Sequence, residues 1–187
     1  MRIRQPFLAS LLVALLAWAP AALAASWNYR IGEEAPSFSL KALDGKALSS
    51  ADLKGQFTVI SFMTTWCPYC NAAAPHVQKL QDDYRERGVR VVIVDIDEKE
   101  KPVQKFARKH GLTCAILMDD DGTVATRFAP PEDFIPDLER HEIMIASFVI
   151  VGPDGKIRAL TLNEKPEEFD ARLTGLRGKL DALLAAK

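Results

Sequence analysis

No charge of one sign dominates this sequence. Its 187 residues carry 24 lysines and arginines against 25 aspartates and glutamates, a formal net charge of −1. That leaves no basic footprint for nucleic acid or an anionic membrane surface. Cysteine is scarce: only Cys67, Cys70 and Cys114. Three thiols cannot build a four-cysteine zinc site, and no two histidines stand at H-x-x-x-H spacing. The most apolar stretch, Phe7 to Trp18, is about a dozen residues, short of the roughly 20 that a spanning helix needs. There is no internal repeat, low-complexity tract or long block of like charge.

What is present is the composition of one globular domain, 48% hydrophobic and 26% charged, with a secretory signature at its start. Arg2 and Arg4 precede the apolar run, and Ala22-Leu23-Ala24 is a small-x-small cleavage pattern. Residues 1–24 are therefore expected to be a cleaved signal peptide and residues 25–187 the mature domain. Without Arg2 and Arg4 the mature chain is mildly acidic, 22 basic residues against 25 acidic. Export to the periplasm would put the protein where disulfides form and persist.

The pattern of the mature chain alternates strand and helix. Arg30 to Leu40 reads as an irregular entry with a short extended piece, followed by an Asp44-Gly45 turn. Phe57 to Met63 is a continuous apolar, β-rich run expected to be a buried central strand. A helix begins near Cys67, carries Val77, Leu80 and Tyr84 at helical spacing, contains Pro75, and ends near Gly88. Val89 to Val94 is a second strand, Lys101 to His110 a second helix stopped by Gly111, and Cys114 to Met118 a third strand. Ala129 to Arg140, with three prolines, reads as a loop or a short helix. Ile145 to Val151 and Lys156 to Leu162 form a hairpin around Gly152-Pro153-Asp154-Gly155. Pro166 to Ala186 is a final helix with an apolar stripe of Phe169, Leu173, Leu176, Leu180, Leu183 and Leu184. Strands linked by helices pair in parallel, and the hairpin adds antiparallel strands. The expected fold is α/β, a mixed central sheet with helices on both faces.

The chemistry concentrates at Cys67 and Cys70. A C-x-x-C that opens a helix directly after a buried strand sets its first sulfur beside unpaired backbone N–H groups at the positive end of the helix dipole. Both favour thiolate, so Cys67 is the expected nucleophile. Cys70, one turn on, is the expected resolving thiol. Pro68 suits the first helical turn, where no N–H partner is needed. A disulfide between residues so close closes a tiny loop and constrains little chain, so a merely structural bridge is the weaker reading. Asp95 and Asp97 are read as capping or solvent-facing at the end of the second strand. Cys114 is read as a small buried hydrophobe, with a regulatory or dimer-forming thiol as the alternative.

The wording of the chain goes further. Phe57 to Pro75 (FTVISFMTTWCPYCNAAAP) resembles the active-site segment of the thioredoxin-like TlpA/ResA group of exported reductases. Ile31 to Leu40, Asp52-Leu53-Lys54-Gly55 and the hairpin Phe148 to Ile157 (FVIVGPDGKI) resemble that group's entry segment, loop and hairpin. The resemblance implies a thioredoxin-like fold, disulfide reduction in protein substrates, electrons from a membrane thiol–disulfide transporter, and no required cofactor. It also implies that Thr65, Trp66, Pro68, Tyr69, Ile145 and Ala146 flank the cysteine pair. The chain departs from the group in three places, one of them the Pro68-Tyr69 dipeptide, which is commoner in glutaredoxins. Ala146 stands where a cis-proline is usual, and a cis bond before a non-proline costs about 2.5–4 kcal/mol, so this loop is expected to be trans. Ser61 and Ala73 stand where relatives carry a buried acid beside the second cysteine.

Three other classes compete. In a Sco-like copper-handling protein, Cys67 and Cys70 would bind Cu(I) together with Met144 or His141, since Cu(I) favours thiolate and thioether; Sco proteins, however, space their cysteines C-x-x-x-C. In a peroxiredoxin, proline and threonine precede the reactive cysteine by seven and three residues; Thr64 fits, but Ile60 does not. A binding module that merely keeps the fold would show no exchange at all.

Overall fold

The computed structural model describes residues 30–130, 137–162 and 169–186. The segment expected to be a signal peptide, Pro131, Pro136 and the start expected for the last helix lie outside the described residues. The central run forms as its apolarity demands. Strand β3 (Phe57–Met63) is buried along its whole length, because it has neighbours on both edges and helices on both faces. It is reached in chain order after β1 (Ser39–Ala42) and β2 (Ala47–Ser49). Then follow α1 (Pro68–Tyr84), β4 (Val89–Ile96), α2 (Glu100–His110), β5 (Ala115–Asp119) and α3 (Thr123–Phe128). The chain closes with α4 (Arg140–Ile143), β6 (Phe148–Val151), β7 (Ile157–Thr161) and α5 (Thr174–Ala185).

The described strands make one sheet in the order β2-β1-β5-β4-β3-β6-β7. The pairs β3–β4 and β4–β5 are parallel, joined by α1 and α2; every other pair is antiparallel. Strand alternation divides the core in two. Phe57, Val59 and Met63 of β3 with Val91 and Ile93 of β4 pack on one face with Cys70, Val77 and Leu80 of α1, Phe106 of α2 and Leu180 of α5. Ile60, Phe62, Val92, Val94 and Ile96 point the other way, onto Val124 and Phe128 of α3 and Ile143 of α4. The mixed sheet with helices on both faces is thus as expected. Arg177 of α5 pairs with Asp83 of α1 at 2.7 Å, and the Tyr84 hydroxyl donates to Asp181 at 3.1 Å.

Four details differ from the sequence reading. The entry is a hairpin, β1–β2, that pairs with β5 and extends the sheet; its strands are too short for a period-2 signal to emerge. Helix α3 follows the Asp121-Gly122 turn because the buried Asp119 carboxylate accepts from the N–H groups of Val124 and Ala125, at 3.1 and 2.8 Å. The fourth predicted strand starts at Phe148, not Ile145: Met144 to Ser147 is a turn closed by Ser147 N–H to Met144 carbonyl at 3.0 Å, with Ala146 at φ 60°. The last helix starts at Thr174, because Leu173 adopts φ 57° and cannot continue a right-handed helix backward. Every described peptide bond is trans, including that before Ala146.

Candidate active site

Cys67 is the N-cap of α1, with φ −70° and ψ 122°, and Pro68 occupies the first helical position. β3 ends at Met63, and Thr64 to Trp66 turn the chain so that Cys67 sits over the helix start. Its sulfur accepts the backbone N–H of Cys70 at 3.4 Å, the geometry of a capping side chain with sulfur in place of oxygen. Both cysteines are buried and unbonded to one another.

Their acidities are driven apart. The Cys67 thiol is lowered to about 6, first by a hydrogen bond from the Cys70 side chain and then by the N–H groups of Cys70 and Tyr69, against an opposing push from burial. Cys70 is raised far above an ordinary thiol, chiefly because it is the donor in that bond, then by burial and by the charge on Cys67; the N–H groups of Thr64 and Ala146 only partly offset this. Near neutral pH the pair therefore holds one thiolate, at Cys67, and one proton, at Cys70. A cavity of about 10 Å³ lies under Cys70, lined by Ser61, Ala73, Ala146 and Phe148 among others. It sits at the lower limit of space for one water. The two positions where an acid was missing from the sequence thus border Cys70 and leave its thiol in an apolar recess.

The flanking residues divide by exposure. Trp66 is 66% exposed, so it stands out beside the sulfurs rather than roofing them. Tyr69 is half-buried, edge-on to Phe169 at 5.0 Å between centroids. Thr65 and Ile145 are half-buried, Pro68 is exposed, and Ala146 is buried against Cys70.

The copper set does not assemble. Met144 is fully buried in the core on the opposite sheet face from Cys67 and Cys70. His141 packs beside Gly122, where an added Cβ would stand 2.9 Å from its own. One turn of α4 therefore carries both residues away from the sulfurs. Among the described residues no three histidine, cysteine or acidic side chains gather as a metal site.

Two acids were misread or missed. Asp95 does not face solvent: it is fully buried at the end of β4, on the sheet face that carries the cysteines. Its carboxyl is pushed up to about 9, first by burial and then by the charge of Glu98. A polar residue ending an apolar strand gives no sequence signal for which way it points. Asp97, two residues on, is exposed as expected. Glu98 accepts from the N–H and the hydroxyl of Thr65, at 2.5 and 2.6 Å. Cys114 is half-buried, its thiol pushed up to about 12 by burial, which fits a small packing residue and not a reactive one.

Comparison with known proteins agrees with this geometry. A stretch of 90 residues is 37% identical to the thiol-disulfide oxidoreductase ResA of Halalkalibacterium halodurans, covering 48% of this chain and 51% of that protein. In that alignment the chain spans about half the length of the curated relative it matches. A longer alignment, to ResA of Bacillus thuringiensis subsp. konkukian, is 27% identical over 148 residues and covers 77% of this chain and 79% of that one. Among solved structures, a secreted Mycobacterium tuberculosis disulfide oxidoreductase homologous to Escherichia coli DsbE superposes with a TM-score of 0.60 at 26% identity, over 78% of this chain and 95% of that one. Residues 31–160 match the model of the AhpC/TSA family. That match takes in the sheet from β1 to nearly the end of β7 and the whole cysteine turn, and the chain therefore belongs to the AhpC/TSA family.

Proposed function

We propose that this chain is a thiol–disulfide oxidoreductase that exchanges a Cys67–Cys70 disulfide with protein thiols and disulfides in the periplasm, and that it works as a reductant. The observation that carries the reading is the split acidity of the pair: a thiolate at the start of α1 and a retained proton at Cys70.

The step balances without a cofactor. The Cys67 thiolate attacks one sulfur of a substrate disulfide, and the other sulfur leaves as a thiolate that takes a proton from water. Cys70 then gives up its proton and attacks Cys67 in the mixed disulfide. The second substrate thiolate leaves and is protonated in turn. The substrate gains two electrons and two protons, and Cys67 and Cys70 end as a disulfide. A dithiol donor must return those electrons. The likeness to exported reductases supports a membrane thiol–disulfide donor for that role, and the leader-like residues 1–24 support the location.

The test is a redox titration of the mature protein against glutathione, together with reduction of a generic protein disulfide. The expected result is one reversible two-electron couple that disappears in Cys67→Ser. A cysteine pair that never exchanges with either reagent sinks the proposal and leaves a binding module.

A further inference from the structure

Cys67 owes its lowered pKa to the Cys70 side chain and to the N–H groups at the helix start, so whatever holds the Thr65–Cys67 segment in place sets its reactivity. Trp66 cannot hold it, since two thirds of its surface meets solvent. Two side chains from outside the segment do. Glu98, in the loop after β4, takes the N–H of Thr65 on one carboxylate oxygen and its hydroxyl on the other, at 2.5 and 2.6 Å. Asn71, in the first turn of α1, donates its amide N–H groups to the carbonyls of Thr65 and Cys67, at 2.8 and 2.9 Å. The segment is thus gripped at Thr65 N–H, Thr65 hydroxyl, Thr65 carbonyl and Cys67 carbonyl.

Each grip is itself fixed. The Asn71 amide oxygen faces Lys109 Nζ at 3.0 Å and His110 Nε2 at 3.3 Å, both in the last turn of α2. A flipped amide would set its oxygen against two carbonyls, so only one orientation satisfies all four contacts. His110 is in turn packed on Phe106, with ring centroids 4.4 Å apart. Beside Glu98 lies the fully buried Asp95, whose protonated carboxyl is coupled to the Glu98 carboxylate by charge and by a side-chain hydrogen bond.

We propose that Asn71 and Glu98 are positioning residues of the exchange reaction: they clamp the Thr65–Cys67 segment from both sides so that the Cys67 sulfur stays over the N-terminus of α1. The clamp touches neither sulfur. It acts by keeping the sulfur within reach of the Cys70 N–H, and it links that reactivity to the end of α2. The inference rests on Cys67 being the attacking thiolate.

The experiment titrates the Cys67 thiolate by its absorbance at 240 nm, and measures the rate with 5,5′-dithiobis(2-nitrobenzoate), in the reduced wild type, Asn71→Ala and Glu98→Gln. A loosened segment raises the Cys67 pKa from about 6 toward an ordinary thiol. A rise of one unit lowers the rate about fivefold at pH 6 and leaves it nearly equal at pH 8.5, where both forms are thiolate. Glu98→Gln also removes a negative charge, which alone would move the pKa down, so an upward shift in that variant reports position rather than charge. If one variant fails to fold, the other decides, since they lie on separate elements. Folded variants whose titration is unchanged or moves down overturn the clamp. A wild type that reacts no faster than Cys67→Ser overturns the exchange reading instead.

Discussion

The backbone N–H of Cys70 donates to the sulfur of Cys67 at 3.4 Å, making the proposed nucleophile the cap of the helix that carries its proposed resolving partner. Helix start, proton donor and attacking atom are one local structure. A change in any of them is felt at the sulfur.

The exchange rate is predicted to follow ionisation of Cys67. Because its pKa is lowered to about 6, the second-order rate with a small disulfide should fall about tenfold per pH unit below 6 and level off above it. Stopped-flow kinetics from pH 4 to 9 read this directly. A midpoint near 8.5, the ordinary thiol value, would show that the helix start does not act on Cys67.

A lowered thiol pKa stabilises the reduced form and makes the disulfide easier to reduce. The couple should therefore lie above about −270 mV, the value for thioredoxin, and below about −120 mV, the value for the far more acidic DsbA. Equilibration with glutathione at pH 7 measures it. A potential at or below the thioredoxin value would mean that other features of the pair outweigh its thiolate.

Asp95 is expected to cost stability as pH rises. Its carboxyl binds a proton in the folded protein up to about pH 9 but loses it near 3.8 when unfolded, so stability falls across that window. At pH 7 the penalty reaches up to about 4 kcal/mol. Asp95→Asn should therefore raise the urea midpoint more at pH 8 than at pH 5. An equal change at the two pH values would mean that Asp95 is not the titrating group.

Met144→Ala should destabilise the fold by about 2–5 kcal/mol, the usual range for emptying a fully buried methionine site, since Met144 has no exposed surface. It should leave any Cu(I) affinity of the cysteine pair unchanged. Loss of copper binding without loss of stability would restore the metal reading.

The cysteine turn was legible because its determinants are local. Strand β3 announces itself by a run in which six of seven residues are apolar or β-forming, and Pro68 marks the first helical turn. Ser61 and Ala73, read as standing where relatives carry an acid, both line the recess beside Cys70. The thiol-pair chemistry needs only four consecutive residues at a helix start, so spacing alone reveals it. Ala146 was identified as a departure, yet its left-handed turn was not, since a non-glycine residue gives no sign of φ 60°.

The sequence by itself determined the alternating strand–helix order, the buried central strand and the thiol pair, because each depends on periodicity or on residues adjacent in the chain. Only the tertiary structure decided which side chains meet across it. Met144 was a candidate copper ligand beside Cys67 and Cys70, yet α4, which it caps, sets it in the core on the far face of the sheet. Glu98 stands 33 residues from Thr65 and grips it because β3 and β4 pair in parallel and end side by side. Asp95 is buried because the pleat turns it inward. Contacts between distant segments are set by register and packing, and single residues carry no local signal for either.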